Sequence, residues 1–149
     1  MEAKDAIQLE LVQTNLNVAT KDQALHALAQ LLYRSGNISD VDGFVEDVYL
    51  REKEGQTGIG NYVAIPHGKS DYVNTPAVAI GINNTEIPWE SLDGKGVRVI
   101  ILFAVGSDSA AAKEHLKLLS LFARKLGNDD VVGELLKART NEDVLLAFG

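Results

Sequence analysis

Cysteine is missing from all 149 residues, so the chain can form neither a disulfide nor a thiolate metal site. No run of apolar residues is long enough to span a bilayer. The first ten residues also lack the basic leader and apolar segment of a secretion signal. These absences predict a cytoplasmic protein, and the length predicts that residues 1–149 fold as a single domain.

Positive charge is in short supply, with 14 lysine and arginine residues against 21 aspartate and glutamate residues. The formal net charge is -7 at pH 7. A nucleic-acid backbone or an anionic membrane surface would repel such a chain. We therefore expect no nucleic-acid partner, whereas a neutral or basic protein partner is compatible with this charge.

Several catalytic and nucleotide-binding motifs are absent or incomplete. The chain has no H-E-x-x-H or G-x-S-x-G sequence and no histidine pair at metal-ligand spacing. Residues 68–70 (G-K-S) resemble the end of a Walker A loop, but Val63 stands where that motif needs glycine. Residues 58–60 (G-I-G) begin a dinucleotide fingerprint that lacks its third glycine, and Pro66 prevents the helix that should follow. The sequence therefore predicts no metal and no cofactor.

The first third of the chain shows one strand pattern and two helix patterns. Residues 7–12 alternate apolar and polar side chains, which predicts a half-buried strand. Thr20 and Gln23 have the spacing of a capping box at the start of a helix. Asp40 can cap a second helix, which carries Arg51 in its last turn.

The remaining elements complete an α/β pattern. Residues 77–82 predict a strand, and residues 86–89 are at most a short edge piece because Pro88 cannot donate to a ladder. Residues 97–105 form a nine-residue apolar run with one charge, typical of a central strand. Helices are predicted at residues 110–126, at residues 129–137 and after Thr140. This order predicts an α/β sandwich with a mixed parallel and antiparallel sheet flanked by helices.

Residues 57–70 contain the candidate reactive group, His67. Gly58 and Gly60 let the backbone turn its N–H groups toward an anion, so with Asn61 they predict a phosphate-binding loop. Pro66 should end the short apolar strand before it, so that His67 emerges where the strand stops.

Gly68 has no side chain, so we expect it to let a bulky group reach the imidazole of His67. A neutral imidazole is a competent nucleophile near pH 7, which favours a phosphoryl-accepting histidine. On composition alone, a loop histidine that closes a turn after Pro66 is an equally good interpretation.

The other two histidines are assigned by their helical positions. His26 lies on the polar face of the first helix, so we interpret it as a surface residue. His115 falls on the apolar stripe of its helix, where a core histidine bonded to a backbone carbonyl is the simpler interpretation.

Three segments together resemble a known family. They are Arg51-Glu52, the motif T-G-I-G-N-x-x-A-I-P-H that ends at His67, and H-L-K-L-L-S-L-F-A-R-K-L from His115 to Leu126. In the same order and over nearly the whole chain, they resemble the enzyme IIA domain of the bacterial phosphotransferase system, fructose/mannitol type. One departure is Tyr62, where the family more often has glycine.

The resemblance implies that His67 accepts a phosphoryl group from the phosphohistidine of HPr and passes it to enzyme IIB. Enzyme IIB would in turn serve the membrane component, enzyme IIC. The resemblance also implies that His115 and Arg51 line the site. A regulatory, nitrogen-type relative, in which phosphorylation controls binding to target proteins, is an alternative that needs the same histidine.

Two different partners must dock briefly near the reactive histidine, so we expect an apolar surface with a polar rim there. Ile59, Tyr62 and Val63 are the candidate partner-binding residues.

Overall fold

The computed structural model describes residues 2–149 as a mixed six-stranded sheet between two layers of helices, which confirms the predicted α/β sandwich. The strands are β1 (Val12–Leu16), β2 (Gly58–Gly60), β3 (Val63–Ala64), β4 (His67–Lys69), β5 (Ala77–Ile87) and β6 (Val97–Val105). The helices are α1 (Lys21–Arg34), α2 (Val41–Glu52), α3 (Ser109–Leu126), α4 (Asp129–Lys137) and α5 (Asn141–Ala147).

Strand β6 lies in the middle of the sheet, as its apolar run predicts. The strand order is β1-β5-β6-β3-β2, and β4 also pairs with β6. Side chains of β6 alternate between the two faces of the sheet. Ile100 and Leu102 pack on the side of α1 and α2, whereas Ile101 and Phe103 pack on the side of α3, α4 and α5. Both faces are therefore covered, as a continuous apolar strand requires.

Strands β3 and β4 lie end to end along the same edge of β6. Val63 pairs with Val99 and His67 with Phe103, both in parallel register. Pro66 interrupts the ladder, but its carbonyl still accepts the Phe103 N–H at 2.9 Å. The short apolar strand therefore stops before Pro66, as predicted, but the chain rejoins the sheet at His67 instead of continuing as a loop.

The predicted first strand at residues 7–12 is also wrong. Within this segment Leu9–Leu11 forms a 3₁₀ turn, which follows another 3₁₀ turn at Ala3–Ala6, and β1 begins only at Val12. Ile7 and Leu11 pack into the cores on opposite sides of the sheet. The alternation of apolar residues thus reflects burial on both sides without a hydrogen-bonded ladder.

Strand β5 is longer than predicted because it continues past residue 82 to Ile87. A register irregularity separates Ile82 from Ile87, and Ile87 pairs with Val97. The predicted edge piece at residues 86–89 is therefore wrong: its first half belongs to β5.

The predicted helix starts are confirmed. The Thr20 hydroxyl accepts the Gln23 N–H at 3.1 Å, and Asp40 Oδ1 accepts the Gly43 N–H at 3.3 Å. Helix α2 then ends at Glu52, which leaves Arg51 in its last turn. Within residues 2–149, no helix combines the length and the apolar character needed to cross a membrane.

Candidate functional site

His67 is the first residue of β4 and lies beside two aromatic rings. Its ring centroid is 5.4 Å from that of Phe103, its partner on β6, and 4.7 Å from that of His115 on α3. Paired residues of neighbouring strands share a face of the sheet, so the imidazole points to the α3 side. Only 9% of His67 is exposed.

The two ring nitrogens of His67 are in different environments. Nδ1 is buried and has no hydrogen-bond partner among the described residues. Nε2 is not buried in this way and makes no hydrogen bond either, so it is the nitrogen that a reactant can reach.

Burial keeps His67 neutral. Desolvation is the main reason that its pKa falls from 6.5 to about 4, and the charges of His115 and Arg51 lower the pKa further. The carbonyl groups of Ile65 and Pro66 oppose this shift without reversing it. At neutral pH the ring is unprotonated, which is the form that can act as a nucleophile.

His115 forms the second wall of the site and is also kept neutral. Both of its ring nitrogens are buried without a hydrogen-bond partner, and desolvation followed by the charge of Arg51 lowers its pKa. The core-histidine interpretation required a backbone carbonyl as partner, and the described residues provide none. Its ring centroid is 4.7 Å from that of His67.

Phe103 packs edge-on against His115, with centroids 5.3 Å apart, so three rings meet at this point. Sequence analysis did not identify Phe103 as a site residue. Its only signal was its place in the apolar run of β6, which equally suits a core residue. The parallel register that brings it next to His67 is a property of the folded sheet.

Arg51 is the third candidate site residue and lies in the last turn of α2. Its Nη1 donates to the carbonyl of Gly55 at 3.0 Å, and its charge lowers the pKa of both His67 and His115. No other side-chain hydrogen bond or ion pair of Arg51 occurs in the described part of the chain, and a guanidinium has five N–H donors. His115 thus lies against His67, and the charge of Arg51 acts on both rings.

The predicted phosphate-binding loop is partly strand, and the N–H groups of Gly60 and Asn61 are already used. Gly58 and Gly60 belong to β2. The Gly60 N–H donates to the Ser91 hydroxyl at 3.1 Å, and the Asn61 N–H donates to Asp93 Oδ2 at 3.1 Å. A carboxylate at this position would repel phosphate, so the prediction is wrong for these residues.

Gly68 also has a different role from the one predicted. A Cβ atom at Gly68 would overlap the Phe44 ring of α2, on the face of the sheet opposite to the imidazole of His67. The missing side chain makes room for Phe44, not for a reactant. Glycine is needed here because helix α2 packs closely on β4.

The three predicted partner-binding residues lie at the β2–β3 hairpin. Val63 is only 1% exposed and cannot contact a partner, so that prediction is wrong. Ile59 is half-buried against the core, and Tyr62 is half-buried with Lys95 Nζ 5.6 Å from its ring centroid. Val63 of the hairpin pairs with Val99 of β6, and His67 pairs with Phe103, four residues further along β6. Four strand residues correspond to a separation of roughly 13 Å.

The arrangement suits the transfer of an anionic group. It combines a neutral nucleophilic ring, an arginine with free N–H donors and a second neutral histidine. Among residues 2–149, no group of three or more histidine, cysteine, aspartate or glutamate side chains could hold a metal ion. The fold and the site thus define an α/β protein whose candidate reactive histidine lies at the edge of a mixed sheet.

Residues 5–148 match the family described as phosphoenolpyruvate-dependent sugar phosphotransferase system, EIIA 2. The fructose-specific EIIA component of Haloferax volcanii is 32% identical over 136 residues, which cover 91% of this chain and 87% of that relative. The chain belongs to this family and is a phosphotransfer component of the EIIA class, which confirms the resemblance to the fructose/mannitol type.

The 2-O-alpha-mannosyl-D-glycerate-specific EIIABC component of Escherichia coli K12 is 33% identical over 135 residues. The alignment covers 90% of this chain but only 20% of that relative. The chain therefore spans about a fifth of the length of this multidomain relative.

Two solved structures show the same fold. The nitrogen regulatory protein IIA-Ntr from Neisseria meningitidis superposes with a TM-score of 0.85 at 27% identity, covering 98% of each chain. The E. coli mannitol IIA protein, solved in complex with phosphorylated IIB, has a TM-score of 0.79 at 19% identity and covers 95% of this chain and 96% of that one. At that identity, the second likeness shows the fold alone.

Proposed function

We propose that this protein is a phosphocarrier in which His67 accepts a phosphoryl group from phospho-HPr. The observation that carries the proposal is the neutral ring of His67, which has one accessible nitrogen and lies near both Arg51 and His115. Family membership supplies the donor class, because EIIA proteins belong to the phosphoenolpyruvate-dependent phosphotransferase system.

The transfer exchanges one phosphorus–nitrogen bond for another. The lone pair of Nε2 of His67 attacks phosphorus while the bond between phosphorus and the donor imidazole breaks. The electron pair of the broken bond returns to the donor nitrogen. The proton on Nδ1 of His67 does not move during this exchange. The protein therefore contributes position and charge rather than new covalent chemistry.

The charge of Arg51 fits both states of this cycle. In the free protein it disfavours a protonated His67, which keeps the nucleophile available. After transfer the same cation faces phosphoryl oxygens, with which a guanidinium can form charge-assisted hydrogen bonds. His115, being neutral, can donate one ring N–H to the same oxygens.

We propose further that the phosphoryl group passes from His67 to an enzyme IIB. Enzyme IIB would link the protein to a membrane enzyme IIC and to sugar uptake from the cytoplasmic side. The fructose-specific and mannosylglycerate-specific relatives favour this transport route.

A regulatory function is the second candidate, and one observation favours it. Of the two solved structures compared, the one with the higher TM-score is that of a nitrogen regulatory protein. In that case the phosphorylation state of His67 would control binding to a target protein, and no sugar would be involved. Both functions need the same acceptor, so only the onward partner distinguishes them.

Incubation with phosphoenolpyruvate, enzyme I and HPr, followed by mass measurement, tests the shared step. We expect one phosphoryl group on the wild-type protein and on His26→Gln, a matched control at a surface histidine, but none on His67→Gln. Phosphorylated His67→Gln would contradict the proposal. Discharge by an added enzyme IIB would favour transport, and phosphoprotein that no IIB discharges would favour regulation.

A further inference from the structure

Glu52 follows Arg51 in the chain, yet the proposed transfer step gives it no role. Its side chain is only 6% exposed, which is unusual for a carboxylate. Oε2 accepts the Thr57 hydroxyl at 2.7 Å, and Oε1 forms an ion pair with Lys21 Nζ at 2.8 Å. A buried carboxylate with two partners from different segments fixes both segments relative to the end of α2.

Lys21 anchors this group to the rest of the fold. Its ammonium also donates to Glu90 at 3.0 Å and lies 5.0 Å from the centroid of the buried Trp89 ring. Lys21 is the first residue of α1, so the cluster joins α1, α2 and the chain before β6. The position of Glu52 is therefore held from several directions.

Thr57 links Glu52 to the residues just before β4, the strand that begins with His67. The Thr57 carbonyl accepts the Ile65 N–H at 2.9 Å, two residues before His67. The Thr57 hydroxyl is at the same time bonded to Glu52. A shift of Thr57 would therefore be passed on to the residues immediately before the imidazole.

Gly55 links the same connection to Arg51. The Gly55 carbonyl accepts the Arg51 Nη1–H at 3.0 Å and lies within residues 53–57, the connection between α2 and β2. The bond between Glu52 and Thr57 joins the two ends of this connection. A connection held in this way positions both the guanidinium of Arg51, which is bonded to Gly55, and Ile65, which is bonded to Thr57.

We infer that Glu52 is a positioning residue that, through Thr57, holds Arg51 and His67 at the separation that phosphoryl transfer needs. The inference rests on the proposed function, because it assigns Glu52 to the same site. A displacement of about 1 Å at a reacting group can cost on the order of a hundredfold in rate, so a rigid connection has a measurable effect.

The test measures the saturating rate constant of phosphorylation and the half-saturating concentration of phospho-HPr. Glu52→Ala and Thr57→Val should each lower the saturating rate constant by about tenfold or more. The half-saturating concentration should change less than twofold, because neither buried side chain can contact the donor. Thr57→Ser keeps the hydroxyl and should restore the rate.

Three comparisons make the result decisive. Glu54→Ala is the matched control, because the Glu54 side chain is exposed and makes no hydrogen bond or ion pair among the described residues; it should transfer at the wild-type rate. The double variant Glu52→Ala/Thr57→Val should be no slower than the slower single variant, because both changes break one link. If Glu52→Ala does not fold, the pair Thr57→Val and Thr57→Ser gives the answer.

Wild-type saturating rates in folded Thr57→Val, or failure of Thr57→Ser to restore the rate, would overturn this inference alone. A variant that raises only the half-saturating concentration of phospho-HPr and keeps the wild-type saturating rate constant would also overturn it. Absence of phosphorylation in the wild-type protein would instead overturn the proposed function.

Discussion

The ring of His115 stands edge-on to the ring of His67, with centroids 4.7 Å apart and planes at 85°. A protonated His115 would disfavour protonation of His67 at this distance, and the charge of Arg51 disfavours protonation of both rings. The site therefore favours two neutral imidazoles.

Stability should depend on pH through His67. Its pKa is 6.5 when unfolded and about 4 when folded, so between these values the unfolded chain binds more protons than the folded protein. The free energy of unfolding therefore falls as pH drops through this window. From pH 7 to pH 4 the loss due to His67 is on the order of 3 kcal/mol.

Denaturant unfolding at several pH values checks this dependence, with His67→Gln as the comparison. Glutamine does not titrate, so the variant should lose less stability than the wild type as the pH falls. Parallel stability curves for the two proteins would show that the folded-state pKa of His67 is not lowered.

Arg51→Lys should slow phosphorylation by about tenfold or more, because a single ammonium replaces a guanidinium that can donate to Gly55 and to phosphoryl oxygens together. Rapid-quench measurement of phosphoryl transfer from phospho-HPr gives the rate. Arg34→Lys is the control, since Arg34 is exposed at the end of α1. Equal rates for both variants would remove Arg51 from the mechanism.

Gly68→Ala should destabilise the fold by about 1–3 kcal/mol, because the new methyl group would overlap the Phe44 ring. Gly133→Ala is the matched substitution: it lies in α4 with open space around it, and it should stabilise by about 0.5–1 kcal/mol. Urea unfolding compares the two. If Gly68→Ala is as stable as the wild type, α2 does not pack on β4 as described.

Tyr62 lies in the β2–β3 turn with φ of 67°, next to Asn61 at 55°. This left-handed conformation costs an ordinary side chain roughly 1 kcal/mol or more, and glycine adopts it without that cost. Tyr62→Gly should therefore keep the stability or raise it by up to about 1 kcal/mol, whereas Tyr62→Val should lower it. A clear loss in Tyr62→Gly would mean that the contact with Lys95 outweighs the strain.

Local signals predicted most of the fold. The side chains of Thr20 and Asp40 cap their helices as their spacing indicated, and the apolar run at residues 97–105 forms the central strand. Residues 7–12 were wrongly predicted as a strand because apolar residues that are buried on two sides of a sheet edge alternate with polar ones just as they do in a strand. Amino-acid propensity cannot distinguish the two structures, since they differ only in whether the backbone is hydrogen-bonded to a neighbouring strand.

The surroundings of the candidate site were not predicted. The grouping of His67, His115 and Arg51 came from the family resemblance; in the structure His115 lies against His67, and the charge of Arg51 acts on both rings. The phosphate-binding role of Gly60 and Asn61 failed because their N–H groups bond to Ser91 and Asp93, which lie some thirty residues later in the chain. Contacts between such distant segments have no local signature, and the same is true of Phe103 beside His67.

The most direct test of the central claim is to locate the phosphoryl group by ¹⁵N and ³¹P NMR on protein phosphorylated through phosphoenolpyruvate, enzyme I and HPr. We predict a single phosphoramidate at Nε2 of His67, with the rings of His26 and His115 unmodified. A phosphoryl group on either of those histidines, or on Nδ1 of His67, would contradict the account.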